Sequence, residues 1–388
     1  MIAMRKVSVI ITARPSYSRI KSALKSLQSH PYIDLSIILS SSSLLERYGN
    51  AQSIIESDGY DIYEKIYSHI DGDSLSLLPA NTGLSLIHLS NTLNKLKPDI
   101  VVTIADRYET IANAIAASYM NIPLVHIQGG EFTGSIDNKV RFAITKLADC
   151  HFVSSDFAKK RVLNMGESPE FVINTGCPSI DLAVDVQHNP DFDFDLFQKY
   201  TGTGPRFSLD NGYLVVMQHP VTTEFEESSF QIQCTIDALN NFNMPVIWFW
   251  PNVDTGSDSV SKVLRVFREK NPDLPYHFFK NLEPVDFLRL IKNSSCLIGN
   301  SSVGIRESAY LGVPVVNIGS RQNGRERASN VIDVDYNPTE ISSAVKKQLL
   351  ACSFPSSNIY GDGNSGERIA NLLATLNITI EKPDLLLS

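Results

Sequence analysis

Cysteine is scarce and scattered: the chain has five, Cys150, Cys177, Cys234, Cys296 and Cys352, with no CxxC spacing among them. That argues against a disulfide framework or a thiolate zinc site, and fits the reduced thiols of a cytoplasmic protein. Long apolar runs are also missing. No stretch approaches the roughly 18 residues of a membrane helix. The N-terminal run Val7 to Ile11 passes into a polar turn without a cleavage-like tail, so it reads as a strand and not as a signal peptide. Basic blocks are absent too: 34 Lys and Arg stand against 42 Asp and Glu, a formal charge of −8 in mixed-sign order, which speaks against a nucleic-acid partner. The sequence shows no internal repeat, no low-complexity segment and no cluster of ligating side chains at metal spacing.

What is present is ample apolar material, 43% hydrophobic residues over 388, more than one core usually holds. Strand-like and helix-like runs alternate. Lys6 to Thr12 is followed by an amphipathic pattern over Arg19 to Gln28, and Ser36 to Ser40 by a helix over Ala51 to Asp58. Ser85 to Leu96 leads to the buried parallel strand Ile100 to Ile104. Glu109 to Met120 precedes Pro123 to Ile127, and Asp137 to Ala148 precedes Cys150 to Ser154. Between Asp181 and Asn211 the composition turns acidic and turn-rich, which reads as a linker, set at 183–207. Alternation resumes at Tyr213 to Met217, with strands at Val246 to Trp250, His277 to Phe279, Cys296 to Ile298 and Val315 to Ile318. Two doubly wound parallel α/β domains follow, with function expected at the carboxyl ends of the strands and a ligand between the domains.

Those strand ends carry polar residues where a core would want none. In the first half they are Arg14 and Ser18, Asp106 and Arg107, and Glu131 with Asp137 and Arg141; in the second, Gln218-His219-Pro220, the segment around Asn252, and Ser320-Arg321-Gln322. Asp137 and Arg141 lie four apart, hence on one helix face, and the bland reading of that pair is a surface ion pair. The turn Gly299-Asn300-Ser301-Ser302 lies between a strand and a helix. Its small residues and the helix amides suit a phosphate, and Glu307 further along the same helix suits a ribose.

Several ordered motifs then resemble one family. Gly129-Gly130-Glu131, Ile136-Asp137 with Arg141, Gln218-His219-Pro220-Val221-Thr222-Thr223, Gly299-Asn300-Ser301-Ser302 with Arg306-Glu307, Arg321-Gln322 with Gly324-Arg325-Glu326, and Ile359 to Asn364 are similar to the hydrolysing UDP-N-acetylglucosamine 2-epimerases. The resemblance implies a glycosyltransferase-B-like fold of two Rossmann-like domains facing a central cleft: 1–182, with a last helix at about 366–388 crossing back to it, and 208–365, which binds UDP. It implies anti elimination of UDP to a 2-acetamidoglucal, then hydration to free N-acetylmannosamine, the first step of sialic acid synthesis in bacteria. No cofactor is implied. The partners are a UDP-sugar substrate and the UDP product, with a homodimer or homotetramer by analogy. The catalytic residues carried over are Asp106, Glu131, Asp137, His219 and Arg141, the carboxylates moving protons and a cationic His219 facing the leaving phosphate. UDP and substrate fall to Arg14, Ser18, Arg107, Asn252, Ser301, Ser302, Glu307 and Arg321.

This chain departs from the family pattern in places. Arg14-Pro15-Ser16-Tyr17 stands where Arg-Ala-Asp-Tyr is usual, and Gln128 replaces an acid, which throws weight onto Glu131. The motifs do not separate UDP-N-acetylglucosamine from UDP-N,N′-diacetylbacillosamine of legionaminic-acid synthesis. A non-hydrolysing epimerase, whose turn is usually Asp-Ser-Gly-Gly, and a glycosyltransferase on the same fold are the further alternatives.

Overall fold

The period-2 alternation of strand side chains divides each β run between two cores. In β1 (Arg5–Ile11), Val7, Val9 and Ile11 enter one cluster, and Ile10 enters the cluster on the opposite face. The five residues of β4 (Ile100–Ile104) are all buried, as a central parallel strand covered on both faces requires. In this computed structural model, residues 4–45, 51–70, 76–104, 107–132, 137–240, 242–251 and 256–380 are described.

The chain forms two units. Residues 1–131, 136–181 and 361–388 make the first, and 132–135 with 182–360 the second. In the first, β1 to β7 run parallel in the order β3-β2-β1-β4-β5-β6-β7; the others are β2 (Ile33–Ser40), β3 (Ile62–Ile66), β5 (Leu124–Ile127), β6 (Cys150–Val153) and β7 (Val172–Asn174). Strand order reverses between β1 and β4, so the carboxyl ends of those two strands border the crevice where such sheets take their ligands.

The helix Arg14–Ser29 buries Tyr17, Ile20, Ala23, Leu24 and Leu27 on one stripe. It starts five residues before the expected Arg19, because Pro15 is tolerated in a first turn that has no use for its missing N–H. Against it packs the helix Ser365–Thr375, which places Ile369, Ala370 and Leu373 in the first core. Gly366 allows the approach: a Cβ there would lie 2.7 Å from the backbone carbon of Ser22. Asp181 secures the junction, its carboxylate accepting from the amides of Ser365 (3.0 Å) and Gly366 (2.7 Å) and from Ser22 Oγ (2.8 Å).

The second unit repeats the winding. Its strands are β8 (Gly202–Thr203), β9 (Leu214–Met217), β10 (Val246–Phe249), β11 (Tyr276–Phe279), β12 (Cys296–Gly299), β13 (Val315–Ile318) and β14 (Val331–Val334), ordered β14-β13-β12-β9-β10-β11-β8. All pair in parallel except β8 with β11. Leu214, Val216, Val246 and Trp248 face one core, and Val215, Ile247 and Phe249 the other. The switch point here lies between β9 and β12. The stretch 183–207, expected as a linker, instead supplies Ala183, Val186, Leu196 and Phe197 to this unit's core and β8 to its sheet. Its turn-rich composition reflects short elements. Among the described residues no helix is long and apolar enough to cross a membrane.

Candidate active site

In the first unit, Arg14 opens the helix that follows β1, and Ser18 one turn later donates back to the Arg14 carbonyl at 3.4 Å; both are half-buried. Arg107 follows β4, and its Nε donates to Glu109 Oε1 at 3.0 Å. Asp106 lies outside the described residues, as does Asn252.

Glu131 lies beyond the end of β5. It is buried, and Oε1 accepts from Ser154 Oγ at 3.2 Å, Ser154 coming directly after β6. Two arginines hold its backbone in place: Arg141 Nη1 donates to the Glu131 carbonyl at 2.8 Å, and Arg161 Nη1 to the Gly130 carbonyl at 2.7 Å. The reading of Asp137 and Arg141 as a surface pair therefore fails for Arg141, which is 2% exposed and points inward. Spacing of four puts two residues on one face without saying which face. Asp137 opens the helix Asp137–Leu147, and its side chain lies outside the described residues. Gln128, where the family pattern has an acid, takes φ of +66° and turns its Nε2 to Cys177 Sγ, 3.0 Å away, so it packs inward.

The second unit gathers its groups at the ends of β9, β12 and β13. Gly299 ends β12 at φ +129°, where any Cβ would meet the Met217 carbonyl oxygen at 2.2 Å, so only glycine lets the turn lie against β9. The next residue, Asn300, is fully buried and grips the His219 backbone twice: Oδ1 accepts from the His219 amide at 2.7 Å, and Nδ2 donates to its carbonyl at 2.8 Å. The Asn300 carbonyl in turn accepts from Arg321 Nη1 (3.2 Å) and Gln322 Nε2 (2.8 Å). One asparagine thus ties His219 and Arg321 to the serine turn. Ser301 and Ser302 follow, both half-buried, with Ser302 Oγ accepting from Arg306 Nη2 at 3.1 Å.

The helix expected to run from the turn through Glu307 is broken. Ser302–Ile305 ends at Arg306 (φ −101°, ψ −72°), and Glu307 opens the separate segment Glu307–Leu311. Four residues sum to little dipole, so anion binding here rests on amides and hydroxyls. Glu307 is buried; its Oε2 makes no hydrogen bond and lies 4.0 Å from Arg306 Nε. Three residues escaped the sequence reading: Ser154, Asn300 as a clamp, and Glu109. For Asn300 the available signal was a long amide side chain inside a turn whose other members are small. Among the described residues, no group of three or more His, Cys, Asp and Glu could hold a metal ion.

Two doubly wound sheets thus carry polar and charged side chains at the carboxyl ends of their strands. The family model for UDP-N-acetylglucosamine 2-epimerase matches residues 25–374. The chain belongs to this family. Its relatives include the UDP-N,N′-diacetylbacillosamine 2-epimerase (hydrolyzing) of Legionella pneumophila, 34% identical over 96% of both chains. The polysialic acid biosynthesis protein P7 of Escherichia coli is 33% identical over 93% of this chain and 92% of that one. In fold the family member resembles the S. aureus MnaA–UDP co-structure, with a TM-score of 0.79 and 20% identity over 98% and 99% of the two chains.

Proposed function

We propose that this chain is a hydrolysing 2-epimerase: it eliminates UDP from a UDP-linked 2-acetamido sugar and hydrates the resulting glycal to the free, C2-inverted sugar. The observation that carries the reading is the buried Glu131 carboxylate, held by Ser154 and fixed through its own backbone by Arg141, at the carboxyl end of the first sheet. Removing a weakly acidic C2 proton needs a carboxylate positioned in advance. Glu131, with Asp106 and Asp137, performs the proton transfers. As the proton leaves C2, the C1–O bond breaks, its electron pair departs with the diphosphate, and a C1–C2 double bond forms. Water then adds its hydroxyl to C1 and a proton to C2 from the other face.

The departing diphosphate needs positive charge and donors. His219 and Arg321, tied together through Asn300, supply these with Ser301 and Ser302. Arg14, Ser18, Arg107 and Asn252 complete the UDP contacts, Arg141 steadies the substrate side, and Glu307, whose buried Oε2 makes no hydrogen bond, takes a ribose hydroxyl. The hydrolysing type is supported by Gly299-Asn300-Ser301-Ser302 in place of the Asp-Ser-Gly-Gly of the non-hydrolysing enzymes, and by the relative of that type at 34% identity.

Two substrates each have an observation in their favour. The Legionella relative's name favours UDP-N,N′-diacetylbacillosamine; the polysialic acid relative favours UDP-N-acetylglucosamine and a sialic acid route. Measuring kcat/KM for UDP release from both sugars decides between them. A protein that binds UDP yet releases it from neither sugar would refute the reaction. The enzyme is expected to work in the cytoplasm as a homodimer or homotetramer, which light scattering tests.

A further inference from the structure

The end of β4 carries a carboxylate that the reaction as written leaves unused. Glu109 lies in the single turn Tyr108–Thr110 and is 1% exposed. Its Oε1 accepts from Arg107 Nε at 3.0 Å and from Ser42 Oγ at 3.0 Å, while Oε2 is enclosed with no hydrogen-bond partner. An oxygen in that condition costs stability, because the lost hydration is not returned by a donor. Packing therefore does not explain Glu109; what the carboxylate holds does.

It holds Arg107, whose side chain is 30% exposed where that of Glu109 is fully buried. The contact engages Nε, the inner donor of a planar five-donor fork. A grip there fixes the plane of the guanidinium and leaves the two terminal nitrogens outside the Glu109 contact. The carboxylate itself is anchored. Ser42 Oγ also lies 3.0 Å from the Thr12 carbonyl, the Ser43 amide donates to that same carbonyl at 3.0 Å, and Thr12 Oγ1 and Thr110 Oγ1 lie 3.2 Å apart. Segments following β1, β2 and β4 thus converge on Glu109 beside the switch point of the first sheet.

We propose that Glu109 is a positioning residue for Arg107, holding its guanidinium by Nε so that the terminal nitrogens are presented to the diphosphate of UDP before it binds. The proposal rests on the assignment of Arg107 to the UDP site made above. Orienting a long side chain in advance spares the rotamer entropy that binding would otherwise cost.

A double-mutant cycle on UDP affinity, read by calorimetry, tests it. Glu109→Gln should weaken UDP roughly tenfold, the scale of one charge-assisted hydrogen bond, and in an Arg107→Ala background the same change should alter affinity less than about twofold. Glu109→Asp, which keeps the charge but draws it back by one methylene, should fall between wild type and Glu109→Gln, and serves if the latter does not fold. Wild-type affinity in both single Glu109 variants overturns the proposal. Equal losses with and without Arg107 overturn it as well, because Glu109 would then act independently. A wild-type protein that does not bind UDP would instead bring down the site reading on which the proposal stands.

Discussion

Replacing Asn300 by alanine removes one side chain and two hydrogen bonds, both to the backbone of His219, at 2.7 and 2.8 Å. Both residues are buried, so the His219 amide and carbonyl lose these two bonds where water does not reach them easily. Each buried unsatisfied group costs about 1–3 kcal/mol. Two give about 2–6 kcal/mol; relaxation of the strand end returns part of that, which leaves about 3 kcal/mol. For a unit of this size, 1 kcal/mol moves the melting temperature by about 2–4 °C, so Asn300→Ala should melt roughly 6–12 °C lower in calorimetry. UDP affinity should fall with it, since His219 is no longer held against the serine turn. The bonds from Arg321 and Gln322 go to the Asn300 main-chain carbonyl and survive the substitution. Asn300→Asp can still accept from the His219 amide but sets a carboxylate against its carbonyl, and should be at least as damaging. A variant melting within about 2 °C of wild type and binding UDP normally would refute the clamp.

Three further outcomes are expected. Glu131→Gln should retain UDP binding and lose turnover by roughly 10²–10⁴-fold, the range of a general acid–base group; wild-type turnover would remove Glu131 from its role. Asp181→Ala leaves the first amides of the helix Ser365–Thr375 without their acceptor, a loss of about 1–2 kcal/mol, so limited proteolysis should cut the C-terminal helix faster, and an unchanged rate would contradict this. Burial, outweighing its bonds to the Pro205 and Gly204 backbone, lowers the pKa of His277 from 6.5. A lowered folded pKa means the contribution is complete above the unfolded value and lost as pH falls through the folded one, so the urea midpoint should drop as pH falls below about 6.5, with a shallower slope in His277→Gln. Equal slopes would exclude His277 as the source.

The central strands were legible because full burial makes them continuous apolar runs: Ile100–Ile104 and Val315–Ile318 stand where the sequence reading put them. The edge strands were not. Ile62–Ile66 includes Glu64 and Lys65, Val331–Val334 includes Asp333, and both are only partly covered, so neither shows the signature of a buried strand. At the site, residue types at strand ends could be read, but their partners could not, because those come from other strands. Asn300 reaches across to the turn after β9, Glu131 to the residue after β6, and Glu109 to the segment after β2. Glu109 looked like the start of a helix, and nothing local marks it as the grip on Arg107.

The central claim is proton abstraction at C2 with loss of UDP. Incubation of the protein with each UDP-sugar in deuterated water tests it in one experiment, read by mass spectrometry and NMR. The account predicts UDP and a free C2-inverted sugar carrying deuterium at C2. A free sugar without deuterium, or an inverted sugar still joined to UDP, would contradict it.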